Sequence, residues 1–240
     1  MNIIFTILLS ILFISSSTAQ KRMSLSRSPE RFYLGVNVGP SFPQSDFAEK
    51  NVSPSSGYAK IGYRLELYGG VNILGMFGLS AMGFLNINGT DPEKFKDKLN
   101  SEYPGNSWQT DSKNWTLFGA LGGVSFHYPI NNRTIFHVSL LGGYLNAESP
   151  ELKFTSGSSE YKIESKTASS WSYMTLLGTN YYLDQNVSLT LDFEFLGSNP
   201  RFDNVRTTSN IGGNFSESTT SFSRQMNAFN IALGFKYSFR

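Results

Sequence analysis

The sequence predicts an all-β chain, an eight-stranded antiparallel up-and-down transmembrane β-barrel. Three observations carry this. Apolar and polar residues alternate with a period of two in segments of about ten residues, the mark of strands with a different solvent on each face. The connections alternate between short turns and long polar loops. Finally, the 240 residues hold only 16% charged side chains but 15% aromatics and 22 glycines, against about 25% charged in an average soluble domain.

In chain order, residues 3–14 form a charge-free apolar run of 12, followed by Ser17 and Ala19 at the −3 and −1 places of a small-residue cleavage site. This predicts an export signal over 1–19 and a mature chain from Gln20. Twelve residues fall short of the roughly 20 that span a bilayer as a helix. A short extension, 20–30, precedes the first strand at 31–39, where Phe32, Leu34, Val36 and Val38 share a face. In the second strand Ile61, Tyr63, Leu65 and Leu67 oppose Lys60, Gly62, Arg64 and Glu66. Four strands without any Asp, Glu, Lys or Arg are expected at 76–88, 115–128, 135–147 and 170–182. The seventh carries Val187, Leu189, Leu191, Phe193 and Phe195 against Ser188, Thr190, Asp192 and Glu194. The eighth alternates Phe229, Ile231, Leu233, Phe235, Tyr237 and Phe239 with Asn230, Ala232, Gly234, Lys236 and Ser238.

The links at 71–75, 129–134 and 183–186 have the Pro, Asn, Asp and Gly of tight turns. Those at 40–59, 89–114, 148–169 and 197–225 are long and polar. An even strand count with all long loops at one end fits a membrane barrel. A soluble lipocalin-like carrier would turn the apolar rows inward. The large apolar rows, ending in aromatics, instead fit a lipid-facing band. Tyr128, Phe136, Tyr181, Tyr237 and Phe239 fall near the short turns, and Trp115, Tyr144, Trp171 and Tyr173 near the long loops. Segment 91–99 pairs Phe95 and Leu99 at i, i+4, the pattern of a helical turn, with a solvated loop as the alternative. Segment 201–225 is polar and low in hydrophobics, which predicts a mobile loop.

The chain resembles the small outer-membrane β-barrel proteins, namely the OmpA-type transmembrane domain and the outer-membrane β-barrel domain proteins common in Bacteroidetes. The resemblance rests on the export signal, the eight amphipathic strands and the terminal NIALGFKYSF, and covers residues 31–240. Phe235, Tyr237 and Phe239 resemble the C-terminal signal read by the barrel-assembly machinery, although Arg240 follows the final Phe. The resemblance implies a Gram-negative outer-membrane location with periplasmic termini, in contact with membrane lipid and lipopolysaccharide. An envelope protein or surface ligand would meet the four long loops.

The inward charges, Lys60, Arg64, Glu66, Asp192, Glu194 and Lys236, form a balanced set expected to pair and fill the lumen, since unpaired buried charge is costly. His137 with Ser139, and His127 with Ser125, raise a lipid-modifying enzyme as an alternative. The nearest acid along the strand of His137 is Glu148, beyond hydrogen-bond reach, so both histidines read as polar interior or interfacial residues. No catalytic, cofactor or metal site is expected. A formal net charge of +2 offers no basic field for nucleic acid.

Overall fold

A computed structural model of the chain describes residues 31–51, 56–105 and 107–239. The expected export signal and the extension 20–30 lie outside the described residues, as does Arg240. Numbered along the chain, the strands are β1 (Phe32–Gln44), β2 (Ala59–Leu74), β3 (Phe77–Thr90), β4 (Gln109–Ser112), β5 (Trp115–Pro129), β6 (Thr134–Glu148) and β7 (Leu152–Ser156). There follow β8 (Ser159–Ile163), β9 (Thr167–Tyr182), β10 (Val187–Ser198), β11 (Arg201–Ile211), β12 (Asn214–Ser223) and β13 (Met226–Phe239); the described residues also hold one α-helix, α1 (Glu93–Glu102), and a short 3-10 turn at Ser45–Phe47.

Eight of these strands close into an antiparallel barrel in the order β1-β13-β10-β9-β6-β5-β3-β2. β1 seals it, pairing Phe32 with Phe239 of β13 on one side and with Val71 of β2 on the other. The barrel strands run 12 to 16 residues, more than the roughly 9–11 that cross a bilayer when tilted.

The apolar rows point outward. Leu34, Leu67 and Leu233 are 55%, 65% and 57% exposed, and Phe235, Tyr237 and Phe239 stand on the same outer face. That orientation sets aside a soluble carrier, which would bury these rows around a ligand. The inner row is not uniform. Charges project inward from β2, β10 and β13, whereas β3, β5, β6 and β9 supply Met82, Phe84, Leu121, Leu141, Met174 and Leu176. Trp115 departs from the expected aromatic girdle. It shares its row with Leu117, Leu121 and Ser125, so it faces inward and is 1% exposed, while Tyr144, Trp171 and Tyr173 face outward.

The long links are also more ordered than their composition predicts. Five strands drawn from them form a second sheet, in the order β12-β11-β8-β7-β4. Segment 201–225, expected to be mobile, is mostly the β11–β12 hairpin. Its turn is Gly212–Gly213, with φ of +60° and +85°, between the paired Ile211 and Asn214. That left-handed pair suits glycine. The helical pattern at 91–99 is realised as α1. Its Leu99 packs with Trp108, just before β4, and with Leu152 and Phe154 of β7, and the Phe95 ring lies 5.1 Å from the Phe154 ring.

A charge on the outer row tests this orientation. Leu233 lies near the middle of β13, so Leu233→Arg should lower unfolding stability in lipid vesicles by about 2–4 kcal/mol. Urea titration reads the change, and a variant as stable as wild type would place this row away from lipid.

Candidate functional site: the barrel interior and the covered mouth

Because β2 and β10 each alternate strictly here, Arg64, Glu66, Asp192 and Glu194 all project into the lumen, and each is at most 2% exposed. Arg64 is the hub. Its Nε meets Glu66 Oε1 and lies 2.9 Å from Glu194 Oε2, while its Nη1 donates to Asn86 Oδ1 at 2.8 Å. The guanidinium also stacks 4.4 Å over the Phe84 ring. Lys236 lies deeper toward the short turns, with Nζ 3.2 Å from Tyr182 Oη and the Tyr33 ring 5.1 Å away.

Lys60 does not join them. The β2–β3 register shifts between Ala59 and Gly62, and this irregularity leaves both Lys60 and Ile61 exposed. The Lys60 side chain is 53% exposed, with Nζ 3.8 Å from Asp91. The expected balance of three cations and three carboxylates therefore fails inside the barrel. Nearer the short turns, Asp192 meets His137 instead: His137 Nε2 lies 3.0 Å from Asp192 Oδ1, and Asn37 donates to Asp192 Oδ2 at 2.8 Å.

This pair spans a strand. Gly178 of β9 is the register partner of both His137 on β6 and Asp192 on β10. A Cβ at Gly178 would overlap Asp192 Oδ1 and stand 2.7 Å from His137 Nε2. The missing side chain is what lets the two groups meet.

The second histidine, His127, pairs with His137 across β5 and β6 and stacks on it at 5.9 Å. Its Nε2 lies 3.1 Å from Ser125 Oγ. Serine and acid thus attach to different histidines, and His137 Nδ1 is engaged by Asn180 at 3.1 Å, so no single Ser–His–acid relay is assembled. Among the described residues no group of three or more His, Asp or Glu side chains is placed to hold a metal ion. A cavity of about 30 Å³ remains between Tyr33, His127, Asp192 and Lys236.

The mouth at the long-loop end is covered by aromatics. Trp115 donates from Nε1 to the Gly57 carbonyl at 2.8 Å and packs edge-on to Phe47 and Phe202, at 5.6 and 5.9 Å. Arg224, just before β13, lays its guanidinium 4.9 Å over Trp115 and 4.7 Å over Phe222. Burial pushes this guanidinium down to about 10, so it stays cationic at neutral pH. Burial likewise raises the Tyr58 phenol. On the rim, the hydrogen bond from Lys50 holds the Asp91 carboxyl below its ordinary value. Above the cover, between α1 and the loop sheet, lies a chamber of about 260 Å³. Composition gave no sign of it, since Arg224 sits in a run of Ser and Thr.

The hub makes unequal predictions for two cations. Arg64→Ala strands two buried carboxylates and should cost about 3–5 kcal/mol of unfolding stability in lipid vesicles. Lys60→Ala, at an exposed pair, should cost less than about 1 kcal/mol. Equal losses would contradict the assignment. Gly178→Val should separate His137 from Asp192, and the NMR signals of the labelled His137 ring should move. An unmoved ring would show that the contact does not depend on the glycine.

No curated protein sequence matches the chain significantly. Among solved structures, a major outer membrane protein of Thermus thermophilus is similar at 13% identity, with 87% of this chain and 99% of that one covered and a TM-score of 0.50. Neisserial surface protein A follows at 10% identity, covering 87% and 97%, with a TM-score of 0.46. Ail, the attachment invasion locus protein of Yersinia pestis, is 14% identical, covering 88% and 100%, with a TM-score of 0.45. The family profile described as "Outer membrane protein beta-barrel domain" matches residues 6–239. The eight-stranded chain therefore belongs to the outer membrane protein beta-barrel domain family and is an outer-membrane protein.

Proposed function

We propose that this protein is a non-conducting outer-membrane anchor that holds a folded loop sheet at the cell surface, where it acts by contact with an envelope protein or a surface ligand. The short turns and both termini face the periplasm in this reading. Lipid and lipopolysaccharide surround the outer rows, and the barrel-assembly machinery inserts the chain by reading Phe235, Tyr237 and Phe239. The supporting observation is the contrast between the two ends of the molecule. Inside the barrel, paired charges and large apolar side chains leave a cavity of about 30 Å³, room for about one or two waters. Beyond the barrel, the loops carry a sheet with its own apolar core around Phe154, Trp108 and Leu99. Binding residues held on such a scaffold are placed for recognition.

A lipid-modifying activity would require Ser, His and acid in one relay near the long-loop rim. His127 and His137 lie instead beside the short turn at 130–133 and divide serine from acid.

Planar-bilayer recording tests the reading. Wild-type protein should give no stepwise current, because the interior side chains of Arg64, Glu66, Glu194 and Lys236 occupy the path. Reproducible single-channel steps from the wild-type protein would overturn it in favour of a narrow channel.

A further inference from the structure

The outer rim of the barrel carries an open polar groove of about 600 Å³ at the long-loop end, within the roughly 300–1,000 Å³ of small-molecule sites. Strand register builds its floor. Asn227 of β13, Gly197 of β10 and Tyr173 of β9 stand side by side in one row. A Cβ at Gly197 would overlap the Tyr173 ring at Cζ and Oη, so the phenol lies down across the glycine. The ring is still 55% exposed, a platform rather than a buried contact. Trp171, two residues back on the same face, has the Tyr144 ring at 4.3 Å and is nevertheless 67% exposed. Asp46 lines the β1 side. It follows Gln44, the register partner of Asn227, and Asn227 Nδ2 donates to Ser45 Oγ at 3.3 Å, which ties the turn that carries Asp46 to β13.

The lining narrows the choice of ligand. Among its described residues there is no Leu, Ile, Val, Met or Phe to receive an acyl chain, and no Lys, Arg or His to hold a phosphate or sulfate. Its one ionised side chain, Asp46, repels anions. What the groove does offer is hydrogen-bonding capacity, from the amides of Asn199, Gln225 and Asn227, three serine hydroxyls and the carboxylate. Asp46 acts through space on Arg224, but the side chains of Asp46, Asn199 and Gln225 make no hydrogen bond or ion pair among the described residues. Two aromatic faces beside neutral donors and acceptors match a pyranose ring. The C–H face of such a ring carries slight positive charge and suits the negative face of Tyr or Trp. Its edge hydroxyls both donate and accept.

We propose that this groove binds a neutral sugar ring, stacked on Tyr173 beside Trp171, with its hydroxyls bonded to Asp46, Asn199 and Gln225. The proposal rests on the surface-interaction reading and goes further by naming the class of ligand. The head of a neutral glycolipid in the same leaflet and a soluble glycan share this chemistry. An ammonium group would use Asp46 and the two rings but leave the amides and serines idle.

The test applies the full protein, fluorescently labelled and held in phosphatidylcholine nanodiscs, to a printed array of neutral, sialylated and sulfated oligosaccharides. The expected result is saturable binding to one or more neutral sugars and weaker binding to their charged counterparts. For the best neutral sugar, Tyr173→Ala and Asp46→Asn should each raise the dissociation constant about tenfold or more. Tyr63→Ala, at an outer aromatic that is 81% exposed and outside the groove, should leave it unchanged. A heat-dependent gel shift confirms that each variant has closed its barrel. A parallel arm presents the same neutral sugars on dialkyl lipid anchors within the nanodisc and reads Trp171 fluorescence in a variant with the other tryptophans replaced by Phe. Binding in this arm alone assigns a glycolipid, and binding on the array assigns a soluble glycan. No sugar bound in either arm, stronger binding of charged sugars, or displacement of the sugar by choline would overturn the proposal. Sugar binding undiminished in both groove variants would overturn the site while leaving the surface-ligand reading in place. None of these results bears on conductance, so the anchor reading stands or falls separately.

Discussion

A bilayer interior offers no water to polar groups, and the barrel of this chain is built to that constraint. An unpaired backbone N–H or C=O in hydrocarbon costs several kcal/mol, so the sheet must have no edge. β1 supplies the closure by pairing with β13 on one side and β2 on the other. Charges that alternate with the outer row then have one direction left to point. Arg64, Glu66, Asp192 and Glu194 face inward and must satisfy one another across a narrow lumen. Replacing Arg64 would leave Glu66 and Glu194 facing each other with their shared cation gone.

Beyond the membrane the same constraint lapses, and the architecture changes accordingly. The loop sheet is open, with β12 and β4 at its edges, and β12 is exposed along nearly its whole length. Its residues are mostly Ser, Thr, Asn and Glu, which water can satisfy. Between these two regimes the aromatic cover of Phe47, Trp115 and Phe202 separates the paired interior from the chamber that holds Arg224. The position of Arg224, stacked on the cover, makes the mouth rather than the lumen the chemically distinctive part of the molecule.

How much of this was legible in the sequence depends on how far apart the interacting residues lie. Period-two alternation in β13 and β10 revealed the strands, their count and their outer faces, because that signal is local. Lys60 was misplaced because a local register shift reverses the row without changing composition. Trp115 was misplaced because an aromatic at a strand end fits either row. The contact of His137 with Asp192 was invisible, since it joins strands that are not neighbours and passes over Gly178. The β11–β12 hairpin did leave a signal, the Gly212–Gly213 pair between two runs that each carry a Thr–Thr pair. Low hydrophobicity hid it. The chamber left none, because its lining comes from segments as distant as Ser56, Phe95 and Arg224.

The central claim is the assignment of inside and outside, and two of the tryptophans report on it. Trp171 is 67% exposed on the outer row, and Trp115 is 1% exposed beneath the cover. Two single-tryptophan variants, with the others replaced by Phe, would be reconstituted in vesicles containing brominated lipid. Strong quenching of Trp171 fluorescence and little quenching of Trp115 is the predicted result. Equal quenching, or stronger quenching of Trp115, would mean that the rows are assigned to the wrong faces.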